Sequence, residues 1–201
     1  MEVIMKKGFF SAKNVTGMAV LMALVVVLQA FGATITIGPV SLNFALIPIV
    51  LGAILYGPIV GALMGLANGI VVFIQVVMGL VPFYTLIWTN TPVWAALTCL
   101  VKTTAAGWLA GFVFGIIEKK NRYVAVFTAS AIVPIVNTGL FIVGCLLMKD
   151  AISTISGGQN LFVFILVSLV TFNFFLELAV NLLVAPAVHT VYRVIGKKTA
   201  K

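Results

Sequence analysis

The sequence predicts an all-α integral membrane protein with six transmembrane helices. Three observations carry that expectation. Hydrophobic residues make up 63% of the 201 and charged residues only 8%, whereas soluble domains carry roughly a quarter charged residues. A soluble fold of this composition would expose apolar patches large enough to aggregate. Five apolar runs also reach the length of about 20 residues that crosses a bilayer. Finally, ten of the 12 cations fall in three short segments, as membrane orientation requires.

The first run covers about 15–33 and follows Lys6, Lys7 and Lys13. Its basic start and the stretch "QAFGA" also suit a cleaved signal peptide, but a retained helix fits the charge count better. The second, "FALIPIVLGAILY" at 44–56, has only 13 residues and contains Pro48. Alone it fits either a short span of about 20 Å, against about 30 Å of hydrocarbon, or a re-entrant piece. The remaining spans are expected at about 58–80, 92–117, 123–148 and 161–192. The resulting unit is one domain over residues 1–201.

Charge decides the count. With six spans, the amino terminus, the turn "YGP", the loop "EKKNR" and the tail with Arg193, Lys197, Lys198 and Lys201 share one side, and the other side holds only Lys149. Five spans would split the basic segments. Both ends are therefore expected on the cytoplasmic side. The net charge of +8 is thus topological, and no nucleic-acid partner is expected.

The outer connections, 34–43, 81–91 and 149–160, are longer than the inner turn at Gly57-Pro58. They read as loops. A short second helix that starts from the inner turn leaves a gap at the outer leaflet, which predicts an outward-facing cavity under these connections. No internal repeat is evident, so an inverted-repeat carrier is not supported.

Small residues recur at spacing four. Gly61, Gly65 and Gly69 mark the third span, and Gly107, Gly111 and Gly115 the fourth. Such rows let another backbone approach closely, here within the same chain. Ala19 and Ala23 share one face of the first span, a pattern repeated by Ala106/Ala110 and Ala125/Ala129. From the pattern alone, internal packing is the plainer reading.

Ionisable groups at membrane depth need a partner or a wet cavity. Lys102 lies about ten residues into the fourth span, near mid-membrane, on a face shared with Trp94 and Thr98. Glu177 sits deeper in the last span, in a stripe with Asn173 and Asn181. Two roles are open to Lys102: meeting an anionic ligand group, or pairing with Glu177. Asn68, Gln75 and Asn137 add neutral polar groups at depth. Asn43, Tyr84, Trp88 and Asn90 add polar and aromatic groups from the outer connections. Such convergence suits a small polar ligand; the alternative for each amide is an interhelical hydrogen bond.

Cys99 and Cys145 sit in apolar runs and read as packing residues. The one histidine, His189, reads as interfacial. No H-E-x-x-H, G-x-S-x-G or P-loop pattern occurs, so neither an intramembrane hydrolase nor ATP binding by a P-loop of this chain is supported. No catalytic residue, metal or cofactor is expected.

Six spans, a short second helix, a long first outer connection and A-x-x-x-A in the first span together resemble the substrate-binding S-component of an energy-coupling factor (ECF) vitamin transporter. The stretch "LNFALIPIVLGAILYGPIVGALMGLANG", Leu42 to Gly69, carries the strongest likeness, which extends over nearly the whole chain. The resemblance implies that Ala19 and Ala23 contact a transmembrane coupling subunit, joined in turn to two ABC-type ATPases. It also implies the plasma membrane of a bacterial-type cell, and a vitamin bound in the outer half, closed by the first and third outer connections, and released when the subunit topples in the bilayer. Lys102 would suit a carboxylate, which gives a slight preference for a vitamin such as pantothenate. A riboflavin- or folate-type ligand stacked on Tyr84, Trp88 and Trp94 is the alternative. So is a stand-alone carrier or channel using Lys102 and Glu177.

Overall fold

The computed structural model describes residues 12–37 and 40–199. Lys6, Lys7 and Lys201 lie outside them. The helices are α1 (Ala12–Gly32), α2 (Leu46–Tyr56), α3 (Pro58–Val77), α4 (Pro82–Asn90), α5 (Pro92–Ile117), α6 (Arg122–Leu147), α7 (Lys149–Ile155), α8 (Leu161–Val163) and α9 (Phe172–Thr199). A π-helical segment, Phe164–Thr171, joins α8 to α9. Among the described residues, five helices are long and apolar enough to cross a membrane: α1, α3, α5, α6 and the last one, over Leu161–Ile195. With the shorter apolar α2 they make the six-helix, all-α membrane architecture that the sequence predicts.

Local chemistry sets the boundaries. Gly57 takes φ +91°, where a side chain would be strained, and lets the chain fold back between α2 and α3. Pro58 then opens α3 at a position whose N–H has no helical partner. The third span stops at Val77, short of residue 80, although the residues that follow are apolar. Gly79 adopts φ +76°, Leu80 N–H donates to Gln75 O at 2.9 Å, and Gly79 N–H donates to Val76 O at 3.1 Å. These paired bonds close a Schellman motif, which outweighs apolarity. Asn121 caps α6, its Oδ1 accepting from the N–H groups of Tyr123 and Val124 at 2.9 and 3.2 Å.

The outer connections are more ordered than plain loops. In the first, Thr36–Ile37 (β1) pairs antiparallel with Val40–Ser41 (β2). In the second, Pro82 starts α4, whose Phe83, Tyr84 and Ile87 face inward. That spacing makes an amphipathic helix of about two and a half turns, too short to span a bilayer. The third contains α7, with Ala151 and Ile152 buried.

Burial is uneven. Helix α2 is apolar all round and sits inside, with Leu46, Ile49 and Ala53 fully covered. The glycine row of α3 meets α5: a Cβ on Gly61 would strike Gly107 O, and one on Gly65 would strike Thr103 O. On Gly69 it would come within 2.7 Å of Cys99 O. Gly107 and Gly111 complete the seam against Gly61 and Pro58, whereas Gly115 faces open space. Ala106, Ala110, Ala125 and Ala129 are likewise buried in the core. Ala19 and Ala23 are exposed, so the same spacing serves two different surroundings.

Candidate functional site

One cavity of about 550 Å³, its open mouth included, lies among the end of α1, the hairpin, α3, α4, α5, α6, the π segment and α9. Lys102 enters from α5 and is 8% exposed. Its Nζ donates to the Tyr84 hydroxyl at 3.1 Å and stands 5.3 and 5.5 Å from the ring centres of Tyr84 and Phe141. An ammonium in the bilayer costs about 2.5–3.5 kcal/mol on insertion scales. Two cation–π contacts of about 0.5–1 kcal/mol each and one hydrogen bond offset much of that. Two of the three ammonium donors have no protein acceptor.

Glu177 enters from α9. Its Oε1 accepts the backbone N–H of Asn43 at 2.9 Å. One turn earlier, Asn173 Nδ2 lies 3.5 Å from Val40 O and 3.4 Å from Leu169 O. Two α9 side chains thus bind the backbone of the first outer connection and fix it at the cavity. Lys102 and Glu177 line the same space without a direct ion pair.

Several cavity atoms lack partners. Gln29 Oε1, Ser41 Oγ, Asn43 Oδ1 and Asn137 Oδ1 are buried and accept no hydrogen bond from the described residues. Buried polar atoms in folded proteins are nearly always paired. So many unpaired atoms around one cavity mark a site built for a polar occupant. The walls between them are apolar or aromatic, from Val72, Phe141, Leu169 and Phe174, as in small-molecule pockets generally.

The family model for the substrate-specific component of ECF transporters matches residues 13–189. The chain belongs to that family. A search of curated proteins found no match. An S-component is a transport subunit rather than an enzyme, and this one is a multi-pass membrane protein with a polar-lined cavity inside its bundle.

Six of the residues expected at the S-component's site line the cavity: Asn43, Tyr84, Lys102, Asn137, Asn173 and Glu177. Gln75 stands behind it, accepting from Gln29 Nε2 at 3.1 Å. Four lie elsewhere. Asn68 is fully buried on α3, outside the lining, and neither polar atom of its side chain has a partner. Trp88 packs edge-on against Phe73 at 5.2 Å. Asn90 is exposed and donates to Leu86 O at 2.8 Å near the end of its own helix. Trp94 is 44% exposed: eight residues from Lys102 is about 80° beyond two full turns, enough to turn it outward.

Nothing in the sequence reading points to the other lining residues, the polar Gln29, Ser41 and Thr138 and a larger apolar set that includes Phe141, Val170 and Phe174. Gln29 carried a signal, being a strongly polar side chain within the first apolar run. The π segment carried none: "FILVSLVT" reads as ordinary apolar helix. Its wider turn leaves Leu166 O to accept from Thr171 Oγ1 at 2.6 Å, and it sets Leu169 and Val170 against the cavity.

Proposed function

We propose that this S-component captures a water-soluble vitamin or related micronutrient in the cavity and hands it to an ECF importer. A transmembrane coupling subunit would pack on the face of Ala19 and Ala23, and two ABC-type ATPases would supply the energy. The observation that carries the substrate class is Lys102, a buried cation with two unengaged donors facing a cavity of unpaired polar atoms. Its best complement is a carboxylate, and pantothenate is the first ligand to test. The orientation that suits this role places the hairpin, α4 and α7 outside and the basic turn with Lys119, Lys120 and Arg122 in the cytoplasm of a bacterial-type cell, together with both termini.

Mass spectrometry of small molecules retained by freshly purified protein tests the reading directly. Lys102→Met should then weaken binding of the retained compound by about 10- to 100-fold, the worth of a charge-assisted hydrogen bond of roughly 1.5–3 kcal/mol. Unchanged affinity in a titration removes Lys102 from the site. A riboflavin- or folate-type ligand is the second reading, favoured by the rings of Tyr84, Phe141 and Phe174 at the cavity. Trp88 and Trp94, expected to help, do not reach it. A stand-alone carrier using Lys102 and Glu177 predicts sustained uptake into liposomes containing this chain alone; the ECF reading predicts none.

A further inference from the structure

The cavity lining carries two chemically unlike charged groups. Lys102 on α5 offers its ammonium beside the Tyr84 hydroxyl that accepts from it. Glu177 on α9 offers a carboxylate, and Gln29 Oε1, Ser41 Oγ, Asn43 Oδ1 and Asn137 Oδ1 are four buried oxygens with no donor among the described residues. The end of α1 and the hairpin are continuous, since Leu42 N–H donates to Ile35 O at 3.0 Å, and Asn43 N–H ties the same connection to Glu177.

We infer that Glu177 is a specificity-determining residue that accepts N–H or O–H donors from the neutral part of the cargo, while Lys102 holds its anion. This rests on the proposal that the cavity binds a carboxylate vitamin, and it narrows that class. An ionised carboxylate is an acceptor only and offers about four lone-pair positions; Asn43 occupies one. A ligand that carries nothing but acceptors or hydrocarbon beyond its acid group leaves these oxygens unmatched. A ligand with two or more donors there satisfies Glu177 and its neighbours together.

The test uses the full chain in lipid nanodiscs and five carboxylates as probes. Pantothenate, biotin and folate carry hydroxyl, ureido or amino-lactam donors far from the acid group. Nicotinate and lipoate carry none. At least one of the first three should bind at least tenfold more tightly than either of the last two. Glu177→Gln keeps an oxygen for the Asn43 N–H but turns an amino group toward the ligand's donors. It should weaken that probe tenfold or more while the melting temperature without ligand stays at the wild-type value. Glu177→Leu, which also releases Asn43, should lose binding as well. Unchanged affinity in Glu177→Gln overturns the inference, and so does tightest binding of nicotinate or lipoate. Either result leaves the carboxylate reading standing. Failure of the wild-type protein to take any of the five removes that reading, and this one with it.

Discussion

Ala19→Trp should abolish uptake by the assembled importer, to under a tenth of wild type, while leaving ligand affinity in the isolated subunit unchanged. The expectation starts from surroundings rather than from the motif. Ala106, Ala110, Ala125 and Ala129 share the spacing and are completely buried within the bundle. Ala19 and Ala23 have the same spacing and face outward from α1, whose buried side chains are few: Leu21, Val25 and Gln29. Lipid alone gives no reason for small side chains there, because leucine and valine meet acyl chains equally well. A partner helix does, because close approach of two backbones in a membrane needs small residues between them. An indole at position 19 would hold such a helix off by several ångströms. The cavity should not sense it, since from α1 only Gln29 reaches the lining. Leu183→Trp on α9, where the leucine is 78% exposed, is the control and should leave uptake intact. Normal uptake by Ala19→Trp would return this face to the lipid, and lost ligand affinity would show that α1 supports the cavity rather than a partner.

The bundle was legible because membrane helices must be long, apolar and flanked asymmetrically by cations, and each of those constraints is one-dimensional. The short α2 could be recognised from length alone. What sequence could not carry was rotation about each helix axis. Lys102 and Glu177 were conspicuous because a charge in an apolar run is expensive wherever it points. Trp94 looked equivalent to Lys102 on an eight-residue spacing, yet the drift of an α-helix turns it outward. Asn68 and Gln75, seven residues apart on α3, are both buried, but of the two only the Gln75 side chain hydrogen-bonds a lining residue, Gln29. Most of the missed lining, such as Phe141 and Val170, consists of apolar residues indistinguishable from lipid-facing ones until the neighbouring helices are in place. Gln29 is different, for its polarity within the first span was readable and went unused. The outer connections were misread for a related reason. Length and polarity suggested loops, whereas Pro82 at a helix start and the burial of Phe83 and Ile87 made α4.

Gly65→Leu should prevent the subunit from folding into a monodisperse species, or lower its melting temperature by roughly 10 °C or more. Thr103 Oγ1 donates to Gly65 O at 2.7 Å, and the backbone carbonyl of the same Thr103 occupies the space that a Cβ on Gly65 would need. The obstacle is backbone on a rigid helix, so no rotamer change relieves it. Ordinary overpacking costs about 1–3 kcal/mol, and each kcal/mol shifts a chain of this size by roughly 2–4 °C; parting two helices along a whole seam costs more. The neighbours share the constraint, because Gly61 and Gly107 each meet the other's carbonyl. Gly115 provides the internal comparison: it continues the row of Gly107 and Gly111 but has nothing within 4 Å of its would-be Cβ. Gly115→Ala should be neutral or stabilising by up to about 1 kcal/mol, since alanine favours helix over glycine by that amount. Thermal melts of the two variants in one detergent separate the cases. Equal melting temperatures for Gly65→Leu and wild type would mean that α3 and α5 stand further apart than the seam requires. A marked loss in Gly115→Ala would instead show that the inner end of α5 is packed against something outside this chain.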